Sequence, residues 1–305
     1  MTVSNTIKHL SRKEIDEDRW NKCIDQSDNG LIYSHTYYLD CITPGWEALI
    51  LNDYEAIMPL PWRKKWGIRY LYQPFLLAQG GIIGKNINTS ITDLFIRSIP
   101  TSFRYIDMML NYENETDDFT DHIQLRKNLV LDLGNEYESL YNNYNTNTKR
   151  NIKKAIEYGC TIQSEVDIEK VIDLTELQLQ KKDKSLKDNT TRFRSLFANL
   201  KAKGMTKVYG VSSGQKLISS AVFFIDKKRA YYILVGNHPD SKTSGASHLL
   251  IDSFIKDHAT KPLLLDFEGS DIPGLANFYS GFGAEGQPYP ALTINRLPYY
   301  LRWLK

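Results

Sequence analysis

Asp266 and Glu268 stand two apart in the run Leu263-Leu-Leu-Asp-Phe-Glu268, which reads as a β-strand, so both carboxylates are expected on one face with Leu265 and Phe267 opposite. Two close carboxylates push one pKa upward, which suits a proton acceptor near neutrality. The plainer alternative has Asp266 capping a turn and Glu268 solvated. Eleven residues beyond Glu268, Tyr279 sits in Gly274-Leu-Ala-Asn-Phe278-Tyr279-Ser-Gly281-Phe282-Gly283. A phenol with a reference pKa near 10 can donate a proton, and a tyrosine between two phenylalanines can equally be core. The segment Lys242-Thr243-Ser244-Gly245-Ala246-Ser247 places small residues where a helix begins. Unpaired N–H groups and the positive dipole end at such a start attract an anion. A simple helix start, with Ser244 as N-cap and Gly245 at N1, accounts for the same residues. Lys149, Arg150, Lys153 and Lys154 form a basic helix face, to which Arg192 and Arg194 add if their helix lies alongside. Such a face binds phosphate or is merely solvated.

The elements that must position these groups follow from periodicity. Helices are expected at 12–25, from Ser34, and at 91–99, with strands at 46–51, 56–62, 68–72, 105–110 and 129–131. After residue 136, helices are expected at 137–143, 147–158, 168–181 and 191–203, with a polar loop at 182–190. Strands at 206–212, 216–225 and 229–236 follow, then a loop at 236–245, a helix to about His258, the strand at 263–268, a short helix at 274–279 and a last strand at 291–295. This alternation predicts an α/β (α+β) chain of two domains, 1–138 and 139–305, with about the last ten residues packing back on the first. The stretch Trp62-Arg-Lys-Lys-Trp66-Gly-Ile-Arg69 interleaves aromatic rings and cations. That texture serves membrane surfaces and nucleic acids, and a turn between two strands explains it more simply.

At 305 residues, 42% hydrophobic and 24% charged, the chain has the composition of a globular protein and not of a disordered or collagen-like one. The net charge of +2 hides an asymmetry: residues 1–140 carry 14 basic and 20 acidic side chains, and the remainder carry 24 and 16. Such a division guides a phosphate-bearing ligand to one side, or marks two differently solvated surfaces. Three scattered cysteines without a CxxC, no metal-ligand spacing, no apolar leader and no stretch of membrane-spanning length give the expectations of a cytoplasmic chain, no metal and no membrane span.

The strand, loop, helix, strand, helix, strand order of the second half resembles the GNAT acyltransferase core. Lys242 to Ser247 is similar to the GNAT motif Arg/Gln-x-x-Gly-x-Gly/Ala, with Lys242 and Ser247 departing from it. Gly274 to Gly283 resembles both the late GNAT segment that carries a general-acid Tyr and the G-L-x-x-F-K-x-G-F-G segment of Fem peptidyltransferases. Thr148-Lys-Arg150-Asn151-Ile-Lys-Lys154-Ala155 with Gly159, and Met58-Pro-Leu-Pro through Tyr72-Gln-Pro74 and Gly80-Gly81, resemble further Fem segments. The chain is thus similar to FemX/FemAB-like proteins built from two GNAT-type domains, the likeness running from about Ser34 to Asn295.

That resemblance implies an N-acyltransferase moving an acyl or aminoacyl group from acyl-CoA or aminoacyl-tRNA to an amine, with no tightly bound cofactor. The acceptor would be a small molecule or peptide, including a nucleotide-linked cell-wall precursor. Tyr279 would protonate the leaving group, Glu268 and Asp266 would serve deprotonation, residues 242–247 would hold the carrier's pyrophosphate, and Lys149, Arg150, Arg192 and Arg194 would contact a phosphate-bearing substrate. A backbone N–H where the 231–235 strand opens would meet the oxyanion. Tyr279 stands where Fem proteins have Lys, which turns the expectation toward acyl-CoA. Transfer from a phenol to a thiolate is about 1.5 pKa units uphill, on the order of 2 kcal/mol, which a positive neighbour would offset. The rivals are a Fem-like aminoacyl-tRNA-dependent peptidyltransferase and a non-catalytic nucleotide- or peptide-binding protein with a degenerate site.

Overall fold

The computed structural model describes the backbone of residues 5–179, 184–269 and 271–304, and their side chains except at 179, 184–187, 242 and 302–304. Contacts divide the chain into Met1–Arg126 with Pro288–Lys305, and Lys127–Gln287.

The first unit runs β1 (Ile7–Ser11), α1 (Glu17–Gln26), α2 (Thr36–Ile42), β2 (Trp46–Leu51), β3 (Ala56–Lys65), β4 (Ile68–Leu71), β5 (Ile83–Gly84), α3 (Thr89–Ser98), β6 (Phe103–Met109) and β7 (Ile123–Arg126). Helix α1 begins five residues after the expected start. Ser11 instead closes a capping box with Glu14 over a 3-10 turn, and Asp16 accepts the Arg19 N–H to open the α-helix. Between β3 and β4 the turn is Trp66-Gly67, both at positive φ, so β3 reaches Lys65 and not the expected Trp62. Its core gathers Leu49, Met58, Leu60, Leu71, Phe95, Phe103 and Ile106.

The second unit holds β8 (Leu129–Asp132), α4 (Tyr137–Asn142), α5 (Thr146–Glu157), β9 (Cys160–Ser164), α6 (Ile168–Leu179), α7 (Lys184–Ala202), β10 (Thr206–Ser213), β11 (Lys216–Ile225), β12 (Arg229–Asn237), α8 (Asp240–Ser244), α9 (Ala246–His258), β13 (Leu264–Asp266), α10 (Pro273–Ser280) and β14 (Glu285–Gly286). The chain then returns as β15 (Tyr289–Asn295) to the first unit, pairing with β6 and β7. The sheets order as β1-β2-β3-β4-β6-β15-β7, with β5 on β3, and as β14-β8-β13-β12-β11-β10-β9.

Each sheet is antiparallel except at one junction, β4 with β6 in the first and β12 with β13 in the second, and each of these junctions is bridged by a crossover that contains a helix. This repeated parallel step is the signature of two units of one architecture. The unit boundary falls after Arg126 because β8 pairs with β13 and β14, and the last strand lies in the first sheet. Other differences from sequence are local. Residues 184–190 are helical as part of α7, 180–183 lie outside the described residues, 240–244 form α8 within the expected loop, and β13 ends at Asp266.

Candidate active site

In the second sheet β12 and β13 pair over three residues only, Arg229 with Leu264, Ala230 with Leu265 and Tyr231 with Asp266. Beyond that point β12 runs on to Asn237 while the other chain turns away, which opens a wedge along the freed edge of β12. Opposite β11, Phe223 faces Tyr232 and Val222 faces Leu234, so Ile233 is an extra residue, a bulge that re-aims the strand beside the wedge.

Asp266 ends β13 fully inside the protein at 1% exposure. Its Oδ2 meets Arg229 Nη1 at 2.6 Å and its Oδ1 accepts the Glu268 N–H at 2.8 Å. Arg229 Nη2 donates in turn to Gln287. Two residues on, Glu268 takes φ 61°, followed by Gly269 at 86°. The strand has therefore ended before Glu268, and the one-face alternation expected for Asp266 and Glu268 does not hold. Asp266 has a guanidinium and an N–H to satisfy it and fixes the turn that presents Glu268.

Helix α10 follows with Pro273 at its first turn, where a missing N–H costs nothing. Its end is pinned to α5: the Asn145 N–H donates to Gly281 O, and a Cβ on Gly281 would lie 2.5 Å from Thr148 Oγ1. This helix carries Tyr279, whose ring stacks on Phe267 at 4.5 Å and meets Tyr232 edge-on at 6.1 Å. Tyr279 is 7% exposed. Among the described residues no hydrogen-bond partner meets its hydroxyl. Burial, and secondarily the negative charge of Glu268, push the phenol up to about 12. The neighbour is thus a carboxylate and not the positive charge that would offset the deficit. Tyr232 is pushed well above the usual tyrosine range, by burial first and by Tyr279 second. Tyr279, Glu268 and Tyr232 come together at the wedge. Tyr232 was not singled out from sequence, because in Tyr231-Tyr232 only the register of β12 decides which ring faces this side.

The segment 242–247 takes a different form from the expected loop. Asp240–Ser244 are the helix α8, and Gly245, left-handed at φ 79°, joins it to α9. A Cβ on Gly245 would lie 2.2 Å from Asn151 O of α5, so only glycine fits. Ser244 and Ala246 are buried, Ser244 Oγ donates to Ser241 O, Thr243 Oγ1 to Asp240 O, and Ser247 Oγ to Asn237 Oδ1. The Lys242 side chain lies outside the described residues. The N–H groups of Gly245, His248 and Leu249 already have backbone acceptors. This helix start is an internal junction, and of its first N–H groups those of Ala246 and Ser247 meet no backbone acceptor among the described residues. His248 packs edge-on against Phe278, and burial lowers its pKa to about 4, so it is neutral at pH 7.

The basic residues do not form one face. On β11, Phe223 stacks on Phe254 of α9 and shares a core with Ile152 of α5, whereas the next residue, Phe224, stacks on Phe193 of α7. Successive strand residues point to opposite faces, so α5 and α7 cover opposite sides of the sheet. Arg192 and Arg194 on α7 are separated by the sheet from Lys149 and Arg150 on α5. Arg194 forms a two-pronged pair with Glu169. On α5, Arg150 meets Asn147, Lys149 donates to Asn142 O, and Lys153 lies 3.7 Å from Glu157. Among the described residues no group of three His, Cys, Asp or Glu is placed to hold a metal, and no helix is long and apolar enough to cross a membrane.

Residues 142–271 match the family model of the acetyltransferase (GNAT) domain. The matched segment holds the β12 wedge, α9 and Glu268, and stops before Tyr279. No curated protein matches the sequence. Among solved structures, FemX is similar over 97% of this chain and 99% of its own, with a TM-score of 0.66 at 12% identity. A tandem GNAT protein from the clavulanic acid biosynthesis pathway is similar over 96% and 99% (TM-score 0.59, 9% identity). The C-terminal domain of a lysylphosphatidylglycerol synthetase from Agrobacterium fabrum is similar over 92% of each chain (TM-score 0.54, 9% identity). The chain therefore has a FemX-like fold of two GNAT-like units, and residues 142–271 of the second match the acetyltransferase (GNAT) domain model.

Proposed function

We propose that the wedge beside β12 carries out N-acyl transfer from an oxygen ester, of the aminoacyl-tRNA kind, to an amine. The observation that carries this is the phenol of Tyr279, nearly buried and without a hydrogen-bond partner among the described residues, next to Glu268. A substrate ammonium gives its proton to the Glu268 carboxylate. The freed amine attacks the acyl carbon, forming the C–N bond, and a backbone N–H on the freed edge of β12 near Ile233 meets the oxyanion. As the bond from carbon to the leaving oxygen breaks, Tyr279 gives that oxygen its proton. The two steps assist each other: once Glu268 is protonated, its charge no longer holds the phenol's proton. Protonated Glu268 then restores Tyr279, and the nitrogen's second proton leaves through the same carboxylate to solvent.

The phenol's acidity bears on the donor. A departing alkoxide is a stronger base than a thiolate and takes the proton of a phenol raised by burial more readily. A thiolate at about 8.5 takes it uphill, by at most about 3.5 units once the charge of Glu268 is gone. Lys149, Arg150 and the exposed Lys153 and Lys154 on α5 are the candidate contacts to the carrier's phosphates. Asp266 acts as a positioning residue through the Glu268 turn.

An acyl thioester donor is the second reading, favoured by the GNAT family match. Transfer assays with aminoacyl-tRNA and with acyl-CoA, against a panel of amines, separate the two. Product from the ester and not the thioester supports the proposal, and the reverse outcome selects the second reading. Tyr279→Phe should lower turnover at least ten-fold with little change in KM. An unaltered rate removes Tyr279 from the mechanism.

A further inference from the structure

The β3–β4 hairpin of the first unit ends in a turn whose chemistry conflicts with its geometry. A two-residue turn with both φ values positive is built most easily from Asn-Gly, yet here a tryptophan takes φ 50° and is followed by Gly67 at 80°. A bulky residue in the left-handed region is strained, and this one gains no burial in return, since Trp66 is 70% exposed. Around it Arg63, Lys64 and Lys65 are exposed. Lys65 Nζ lies 4.5 Å from the Trp66 ring centre, and the Arg63 guanidinium lies over Tyr72 at 4.3 Å.

Behind the tip is a mostly apolar hollow of about 260 Å³ whose walls include Trp66, Tyr70, Tyr72, Tyr105 and Leu297. The pairing of Tyr70 with Tyr105 puts these rings on the face of the sheet opposite the core residues Leu71 and Ile106. Asp107 also lines it, half-buried. Just past Leu297, Tyr299 and Tyr300 are 87% and 70% exposed. One edge of the unit thus presents an indole, two phenols and three cations to solvent.

We propose that this edge docks the protein on an anionic lipid bilayer, with Trp66, Tyr299 and Tyr300 at the headgroup level and Arg63, Lys64 and Lys65 against lipid phosphates. Indole and phenol rings combine an apolar body with a polar tip and settle at the membrane–water boundary. Basic residues beside them add attraction to negative lipid. Trp66 projects from the tip of the β3–β4 turn, and Tyr299 and Tyr300 from the short helical segment after Leu297, an arrangement suited to entering a surface.

The test is co-sedimentation of the full chain with phosphatidylcholine vesicles, with and without phosphatidylglycerol. Trp66→Asn is the informative variant, because it installs the favoured Asn-Gly turn and leaves the hairpin intact. Binding is expected only to the anionic vesicles, weakened about ten-fold by Trp66→Asn and about five-fold by each of Lys64→Ala and Lys65→Ala. Failure to bind either vesicle, or binding indifferent to Trp66→Asn, overturns the proposal. So does retention of a single-stranded RNA oligonucleotide, lost in these variants, without vesicle binding: that result would assign the edge to nucleic acid.

Discussion

Removing the guanidinium of Arg229 tests the role given to Asp266. The pair is sealed, with Arg229 5% and Asp266 1% exposed and 2.6 Å between Nη1 and Oδ2. Arg229→Met leaves a carboxylate buried without its counter-charge, which costs about 3–5 kcal/mol. In a unit of this size that lowers the melting temperature by roughly 6–20 °C. Replacing both partners, Arg229→Met with Asp266→Leu, removes the stranded charge and should recover most of the loss, since an apolar pair of similar volume is often as stable as a buried ion pair. The double variant also loses the acceptor of the Glu268 N–H, a bond worth about 1.5–3 kcal/mol as one made to a charged group. Its fold should return while turnover stays at least ten-fold down, because the Glu268 turn is no longer fixed. Thermal melts and transfer assays on the same three proteins read both effects. A single variant that costs under about 1 kcal/mol, or a double variant no more stable than the single, refutes the reasoning. A double variant with full turnover refutes the positioning role alone.

Tyr279→Phe should leave stability within about 0.5 kcal/mol in a denaturant melt, because the hydroxyl it removes has no hydrogen-bond partner among the described residues. Gly245→Ala should destabilise by at least about 2 kcal/mol, read in the same melt, since the new Cβ meets Asn151 O at a left-handed position. His248 has a folded pKa of about 4 against a reference near 6.5. Between those values the unfolded chain binds the proton and the fold does not, so this residue's contribution to stability is present above about pH 6.5 and lost as the pH falls toward 4. His248→Gln should flatten the melting temperature against pH in that window.

What the sequence revealed and what it hid divide along the range of the interactions involved. Strands β10, β11 and β12 are legible because their apolar runs are bounded by local turns, and α5 because Asn145 caps it and Thr148, Ile152 and Ala155 repeat on one face. Helix α8 is hidden in the sequence because Asp240-Ser-Lys-Thr-Ser has no apolar period. Asp240 is held by Lys216 on β11, a tertiary contact that no local pattern announces. Likewise β15 has the alternation of any strand, and only its pairing with β6 and β7 shows that it belongs to the first sheet.

The same distinction decides the chemistry. From spacing alone, Asp266 and Glu268 were equivalent carboxylates on a shared face. The buried Arg229 and the left-handed Glu268 make them unlike: one is neutralised and holds a turn, the other stands beside a phenol and holds back its proton. Burial has raised the acid whose sequence position favoured a thioester to about 12, an acidity better matched to an oxygen leaving group. A leaving-group series settles the point by its slope. With esters of increasingly acidic alcohols, the advantage of Tyr279 over Tyr279→Phe should shrink as the departing oxygen needs its proton less. An advantage that stays constant across the series would show that Tyr279 positions the substrate and does not protonate it.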